Sequence, residues 1–113
     1  MSVKVVIKEP CKAPEIKVIE NNLDTFRKIV GGHIECCYPT GIDGVGCYVN
    51  ELGKLIGLCP NLLITDKRKR WRDTIVGCAV FFGIDCDIEV SLSDNQIDEV
   101  MKWISEHALA VTN

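Results

Sequence analysis

The chain has 113 residues, 47% hydrophobic and 26% charged, with a formal net charge of −3; such a length buries one core, and charges interleaved with apolar runs exclude a disordered tail. No apolar stretch reaches the roughly 18 to 20 residues that span a bilayer, so no membrane partner is expected. The expectation is a single domain, 1–113.

At the start, SVKVVIKE alternates and is rich in β-branched residues, which predicts a strand with Val3, Val5 and Ile7 on one face and Val6 on the other. This is not the basic-then-apolar pattern of a signal peptide, and a cytosolic protein is expected. PCKAP, with a proline at each end, breaks the strand, and IKVIE resumes an extended run. NNLDTFRKIVGG reads as a helix over about 22–31. Asn21 or Asn22 caps it, Leu23, Phe26, Ile29 and Val30 form an apolar stripe, and Gly31 or Gly32 ends it in the left-handed conformation. HIECCY predicts a strand, PTGIDGVG a glycine-rich connection, and CYVN another strand. Asn50 to Lys54 reads as a hairpin turn with Gly53 at its positive-φ position, returning through an extended run at Leu55, Ile56 and Leu58.

After GLCPNLLI comes the basic stretch TDKRKRWRD, residues 65 to 73. DTIVGCAVFFG, the most apolar segment, predicts a central strand covered on both faces. CDIEVSL predicts a strand. SDNQIDEVMKWISEHA then predicts a helix over about 94–108, opened by a capping box of Ser93 and Gln96. Ile97, Val100, Met101, Ile104 and Ala108 share one face of it, while Trp103 falls off that stripe as a flank of the core or part of a contact surface. The expected fold class is α+β: a mostly antiparallel, strongly twisted sheet with two helices.

Catalytic chemistry is thinly represented. His33 and His107 are the only histidines, and His107 suits the end of its helix. No Gly-x-Ser-x-Gly elbow surrounds any serine, and GIDGVG has neither the spacing nor the Lys-Ser or Lys-Thr of a phosphate-cradling loop. Asp85 and Asp87 around Cys86 read as a solvated turn. Seven cysteines without CxxC spacing read as small buried hydrophobes in a reducing compartment rather than a metal or redox site. Neither an enzyme nor a cofactor or metal is expected.

EPCKAPE, the following IEN, VGGHIE, NELGK, GLCPN, the VG before an apolar strand, and SLSDNQI occur in this order from Glu9 to Ile97. In this the chain resembles a small family of uncharacterised proteins common in bacteriophages and prophages of Gram-positive bacteria, whose matching segments look like EPGKAPE, GGYIE, NEEGK, GLPxN and SLSDEQI. The resemblance implies a single-domain phage protein acting in the cytoplasm of a bacterial host. This chain departs from the pattern at Cys11, usually glycine, at His33, usually tyrosine, and at Cys59, often proline.

The pattern directs attention to polar residues that a core does not demand. Asn21, Asn50 and Lys54 have capping and turn roles to fill, and Glu20 is placed to pair with Lys12. Glu9, Lys12 and Asn61 sit in loops stiffened by Pro10, Pro14 and Pro60, which suits them to hold a ligand at little ordering cost. With His33 and Glu35 they form one candidate ligand-binding set. The other is the basic stretch. Lys67, Arg68, Lys69, Arg70 and Arg72 are five of the 13 Lys and Arg, leaving eight against 16 acidic residues elsewhere. That island is too narrow for duplex nucleic acid. Arg68, Arg70 and Arg72 beside Trp71 instead suit phosphate and a stacked base.

The expected function is non-enzymatic: a phage protein that binds and sequesters a small nucleotide signal of host immunity, such as a cyclic dinucleotide or a cyclic ADP-ribose-like molecule, by analogy with small oligomeric phage proteins that sequester ligands. A homo-oligomer is expected, because pockets in so small a chain form between subunits. The alternative is a protein-binding inhibitor or regulator of a host bacterial enzyme, docked through KRKRWR with Trp71 or Trp103 as anchor.

Overall fold

The computed structural model describes residues 1–109; residues 110–113 of the expected domain lie outside them. The architecture is α+β, with eight strands, mostly antiparallel in pairing, and two helices among the described residues. Strands β1 (Ser2–Lys8), β2 (Glu15–Glu20), β3 (Ile34–Cys37), β4 (Val45–Asn50) and β7 (Ala79–Asp85) form one sheet in the order β2-β1-β7-β4-β3, and β8 (Ile88–Val90) pairs with the far half of β7. A second sheet is the hairpin of β5 (Pro60–Thr65) and β6 (Trp71–Val76).

The alternation of β1 sorts its side chains as expected. Val3, Val5 and Ile7 pack with Phe26, Val30, Val80 and Phe82 under helix α1 (Leu23–Val30). Val6 faces the opposite side, where Phe81, Leu62, Ile97, Val100 and Ile104 close over it. The molecule therefore has three layers: α1, the main sheet, and a cover made of the β5–β6 hairpin and helix α2 (Asp94–His107). The expected central strand is β7, with Ala79 and Phe81 facing α2 and Val80 and Phe82 facing α1. The apolar run does not continue it in one piece, however: Gly77, at φ 72, turns the chain between β6 and β7 and sends the two halves to different sheets.

Both helices are punctuated as their sequences require. Asn22 accepts the Thr25 N–H at 2.8 Å, and Gly31 closes α1 at φ 79. In α2 the Ser93 hydroxyl accepts the Gln96 N–H at 3.1 Å while Gln96 Oε1 accepts the Ser93 N–H at 2.9 Å, completing the capping box. Trp103 is a flank of the core, its ring 5.9 Å from Phe81. His107 lies 4.2 Å from the Trp103 ring in a stack, and its Nδ1–H donates to the Trp103 carbonyl at 2.7 Å.

Three expectations are corrected. The Asn50–Lys54 hairpin does not form: β4 pairs with β3 and β7, and residues 51–57 are successive turns that leave Leu55 and Ile56 exposed. There Gly57, not Gly53, holds the positive φ of 73, and Gly53 is instead where a Cβ would come within 2.9 Å of Val76. Glu20 does not meet Lys12; it lies 3.5 Å from the amino terminus, and Lys12 pairs with Glu9 at 3.3 Å. Of the seven free cysteines only Cys47 is buried, with Cys37 and Cys78 half-buried. Four fall in turns and loops or on outer strand faces, where the small side chain is not needed for packing.

Candidate functional site

The β1–β2 loop is built by its first four residues. Lys12 N–H donates to the Glu9 carbonyl at 3.3 Å, Pro10 takes the second position, and Cys11 takes the third at φ 62. Proline followed by a positive φ is the type II turn, whose third position favours glycine. Cys11 thus occupies a turn position that favours glycine, at a cost of about 1 kcal/mol for a Cβ in the left-handed region.

This loop stands opposite the last turns of α2, and between them runs a groove of ≈ 280 Å³. Cys11, Lys12, Ala13 and Pro14 form one wall; Met101, Ile104 and Ser105 form the other, continued by Ala108 and Leu109. Lys8 lines the same groove, although only 4% of it is exposed. Its ammonium donates to Asn61 Oδ1 at 2.9 Å and to the Glu9 carbonyl at 2.7 Å. Among the described residues it has no ion pair with a carboxylate. Burial pulls the Lys8 pKa below the ordinary lysine value, partly offset by the Cys11 and Cys78 thiols. A desolvated cation without a counter-charge beside an apolar cleft attracts an anion strongly, because little water is left to screen it.

Lys8 was not among the residues singled out from sequence, although its signal is present. It lies two positions after Val6 and so shares the face of β1 that α2 covers. Of the expected ligand set, Lys12 lines the groove and Glu9 holds Lys12 at its rim. Asn61 adjoins it but is 1% exposed, with its polar atoms engaged: Nδ2 donates to the carbonyls of Lys8 at 2.7 Å and Gly77 at 2.8 Å, and Oδ1 accepts from Lys8. It positions Lys8 rather than facing the groove.

His33 and Glu35 are elsewhere. His33 is exposed just before β3, and its carbonyl accepts the Glu51 N–H at 2.8 Å. Glu35 borders a separate cleft of ≈ 170 Å³ that also holds Cys37, Lys54 and Asp73. The Cys37 thiol there is hydrogen-bonded to Cys47, opposite it on β4, which lowers its pKa.

The basic stretch forms the tip of the β5–β6 hairpin and does not reach the groove residues. Asp66 organises it. Its Oδ1 accepts the backbone N–H groups of Arg68 at 2.8 Å and Arg70 at 2.9 Å, and its Oδ2 accepts from Arg70 Nε at 2.9 Å and Arg72 Nη2 at 3.1 Å. The hydrogen bond from the Arg70 backbone, with the other donors, lowers the Asp66 pKa. Two of the three arginines are therefore paired within the hairpin. Trp71 is 64% exposed and donates its Nε1–H to Thr74 at 2.9 Å.

No helix among the described residues is long and apolar enough to cross a membrane. A family model described as Domain of unknown function (DUF3846) matches residues 3–105, and the chain belongs to that family. No curated protein and no solved structure matches it.

Proposed function

We propose that this member of a domain family of unknown function binds a small nucleotide in the groove between the β1–β2 loop and α2 without converting it. The observation that carries this reading is Lys8, a buried ammonium with no carboxylate partner among the described residues, lining a mostly apolar groove. Lys8 and Lys12 suit phosphate oxygens, and Ala13, Pro14, Met101 and Ile104 suit the flat apolar faces of a base. No carboxylate or imidazole lines the groove among the described residues, which favours holding a ligand over moving its protons.

The phage and prophage pattern supports the biological setting proposed with it: a phage protein in the bacterial cytoplasm that sequesters a nucleotide signal of host immunity. The groove of one chain, ≈ 280 Å³, falls just below the roughly 300–1,000 Å³ of small-molecule sites. It suits a mononucleotide-sized group, and a cyclic dinucleotide needs walls from a second copy. The alternative reading, a protein-binding regulator of a host enzyme, is favoured by the exposed Trp71 among arginines on the projecting hairpin.

A thermal-shift series with mononucleotides, cyclic dinucleotides and cyclic ADP-ribose separates the two readings. A true ligand at about 100 times its Kd raises Tm on the order of 10 °C. Lys8→Met abolishes the shift while the protein stays folded, whereas Arg68→Ala with Trp71→Ala leaves it unchanged. Binding also falls as pH rises through the lowered pKa of Lys8, because only the ammonium attracts phosphate. No shift with any nucleotide, or full binding by Lys8→Met, overturns the groove reading. Recovery of a cleaved nucleotide overturns its non-enzymatic part.

A further inference from the structure

Strand β2 is an outer strand of the main sheet, with β1 on one side and no strand on the other among the described residues. Its hydrogen-bond phase follows from one bond at its end: Asn21 N–H donates to the Met1 carbonyl at 2.7 Å, next to the pair Ser2–Glu20. In an antiparallel ladder bonded and non-bonded pairs alternate. Val3–Ile19, Val5–Lys17 and Ile7–Glu15 are then the pairs bonded to β1. The peptide groups of Ile16 and Val18 point outward from the sheet. The Leu92 N–H donating to the Lys4 carbonyl at 2.9 Å gives the same phase, with even-numbered residues of β1 bonding away from β2.

Ile16 and Val18 also place their side chains on the α2 side of the sheet, opposite Val6 and Lys4, and are 51% and 66% exposed. This edge thus joins free peptide groups to an uncovered apolar strip, the combination to which another strand adds.

Charge selects the occupant and its register. A second copy related by a two-fold axis places outward-pointing residues opposite one another, which leaves three registers along EIKVIE. Centred on Lys17, the two Lys17 side chains oppose each other. Centred on Val18, Lys17 meets Ile19 and the charges go unmatched. Centred on Ile16, Glu15 of each copy faces Lys17 of the other, at the non-bonded positions where side chains approach most closely. Within one chain Glu15 and Lys17 already lie 3.3 Å apart, so this register assembles four alternating charges.

We propose that two copies of this chain join edge to edge through β2, antiparallel and centred on Ile16, to form one continuous sheet across the dimer. The Ile16 peptides bond each other, and the Val18 N–H groups donate to the Pro14 carbonyls of the opposite copy. Pro14 has no N–H to leave unpaired there. Pro14 is also a wall of the groove, so the pairing sets Val18 of the second copy beside that wall and lengthens it. The dimer does not depend on what the groove holds.

Sedimentation equilibrium of the full chain tests the proposal. The wild type forms a dimer with rising concentration, and the amides of Ile16 and Val18 become slow to exchange as it forms. Lys17→Glu places like charges opposite each other twice and weakens the dimer at least about tenfold; adding Glu15→Lys restores it. Val18→Pro removes an outward N–H without removing a bond to β1 and also gives a monomer, with an unchanged circular dichroism spectrum. A wild type that stays monomeric at millimolar concentration overturns the proposal. So does a Lys17→Glu variant that dimerises as well as the wild type, or a charge-swapped pair that remains monomeric.

Discussion

Asn61 satisfies three buried groups with one amide: the carbonyls of Lys8 and Gly77 and the ammonium of Lys8. Its own carbonyl accepts the Leu109 N–H at 3.2 Å, tying the chain beyond α2 to the hairpin. Asn61→Leu, similar in volume, is expected to lower the unfolding free energy by about 3 kcal/mol or more in urea titration, since each orphaned buried polar group costs about 1–3 kcal/mol. An unchanged urea midpoint would show that the amide is dispensable. A polar residue after proline was legible as special, but not as buried: the same GLCPN pattern suits a ligand loop or an internal clamp. Only the approach of β1, 53 residues away along the chain, decides between them.

The β5–β6 hairpin owes its shape to a carboxylate more than to its five cations. Asp66 accepts from the Arg70 and Arg68 backbone N–H groups and from arginine side chains, so its folded pKa lies below the ordinary aspartate value. An Asp with a depressed folded pKa contributes stability that is complete above its unfolded pKa and is lost as pH falls through the folded one. Asp66→Asn is therefore expected to flatten the loss of hairpin amide protection between about pH 5 and 2; an acid limb as steep as the wild type's would show that other carboxylates set it. The sequence showed an island of cations beside a tryptophan, but not that Asp66 ties Arg70 and Arg72. At this scale helices were the more legible elements, because caps and apolar stripes are local. The turn after β4 was misread because Asn, Gly and Lys mark a hairpin turn and a run of successive turns alike.

In the whole molecule β7 is the strand on which both cores depend. On one face Phe82 stacks on Tyr48 at 4.4 Å and lies 6.0 Å from Phe26; on the other, Phe81 meets Trp103 of α2. Phe82→Ala is expected to cost about 3–5 kcal/mol and to lower the calorimetric Tm in a single transition, since the layers share their central strand; two separate transitions would show that they fold independently. By itself the sequence determined the elements whose signals are short-ranged: the parity of SVKVVIKE, the caps of both helices, the stripe of α2 and the apolar run that becomes β7. These depend on neighbours within a turn or along one strand, so the periodicity of the backbone is enough to read them. Tertiary structure alone decided which polar residues meet. It kept Glu9 beside Lys12 but placed Glu35 and the basic hairpin on other surfaces, buried Asn61, and set Lys8 in a mostly apolar groove. Burial and charge pairing depend on segments far apart in the chain, and no local pattern carries the distance between them.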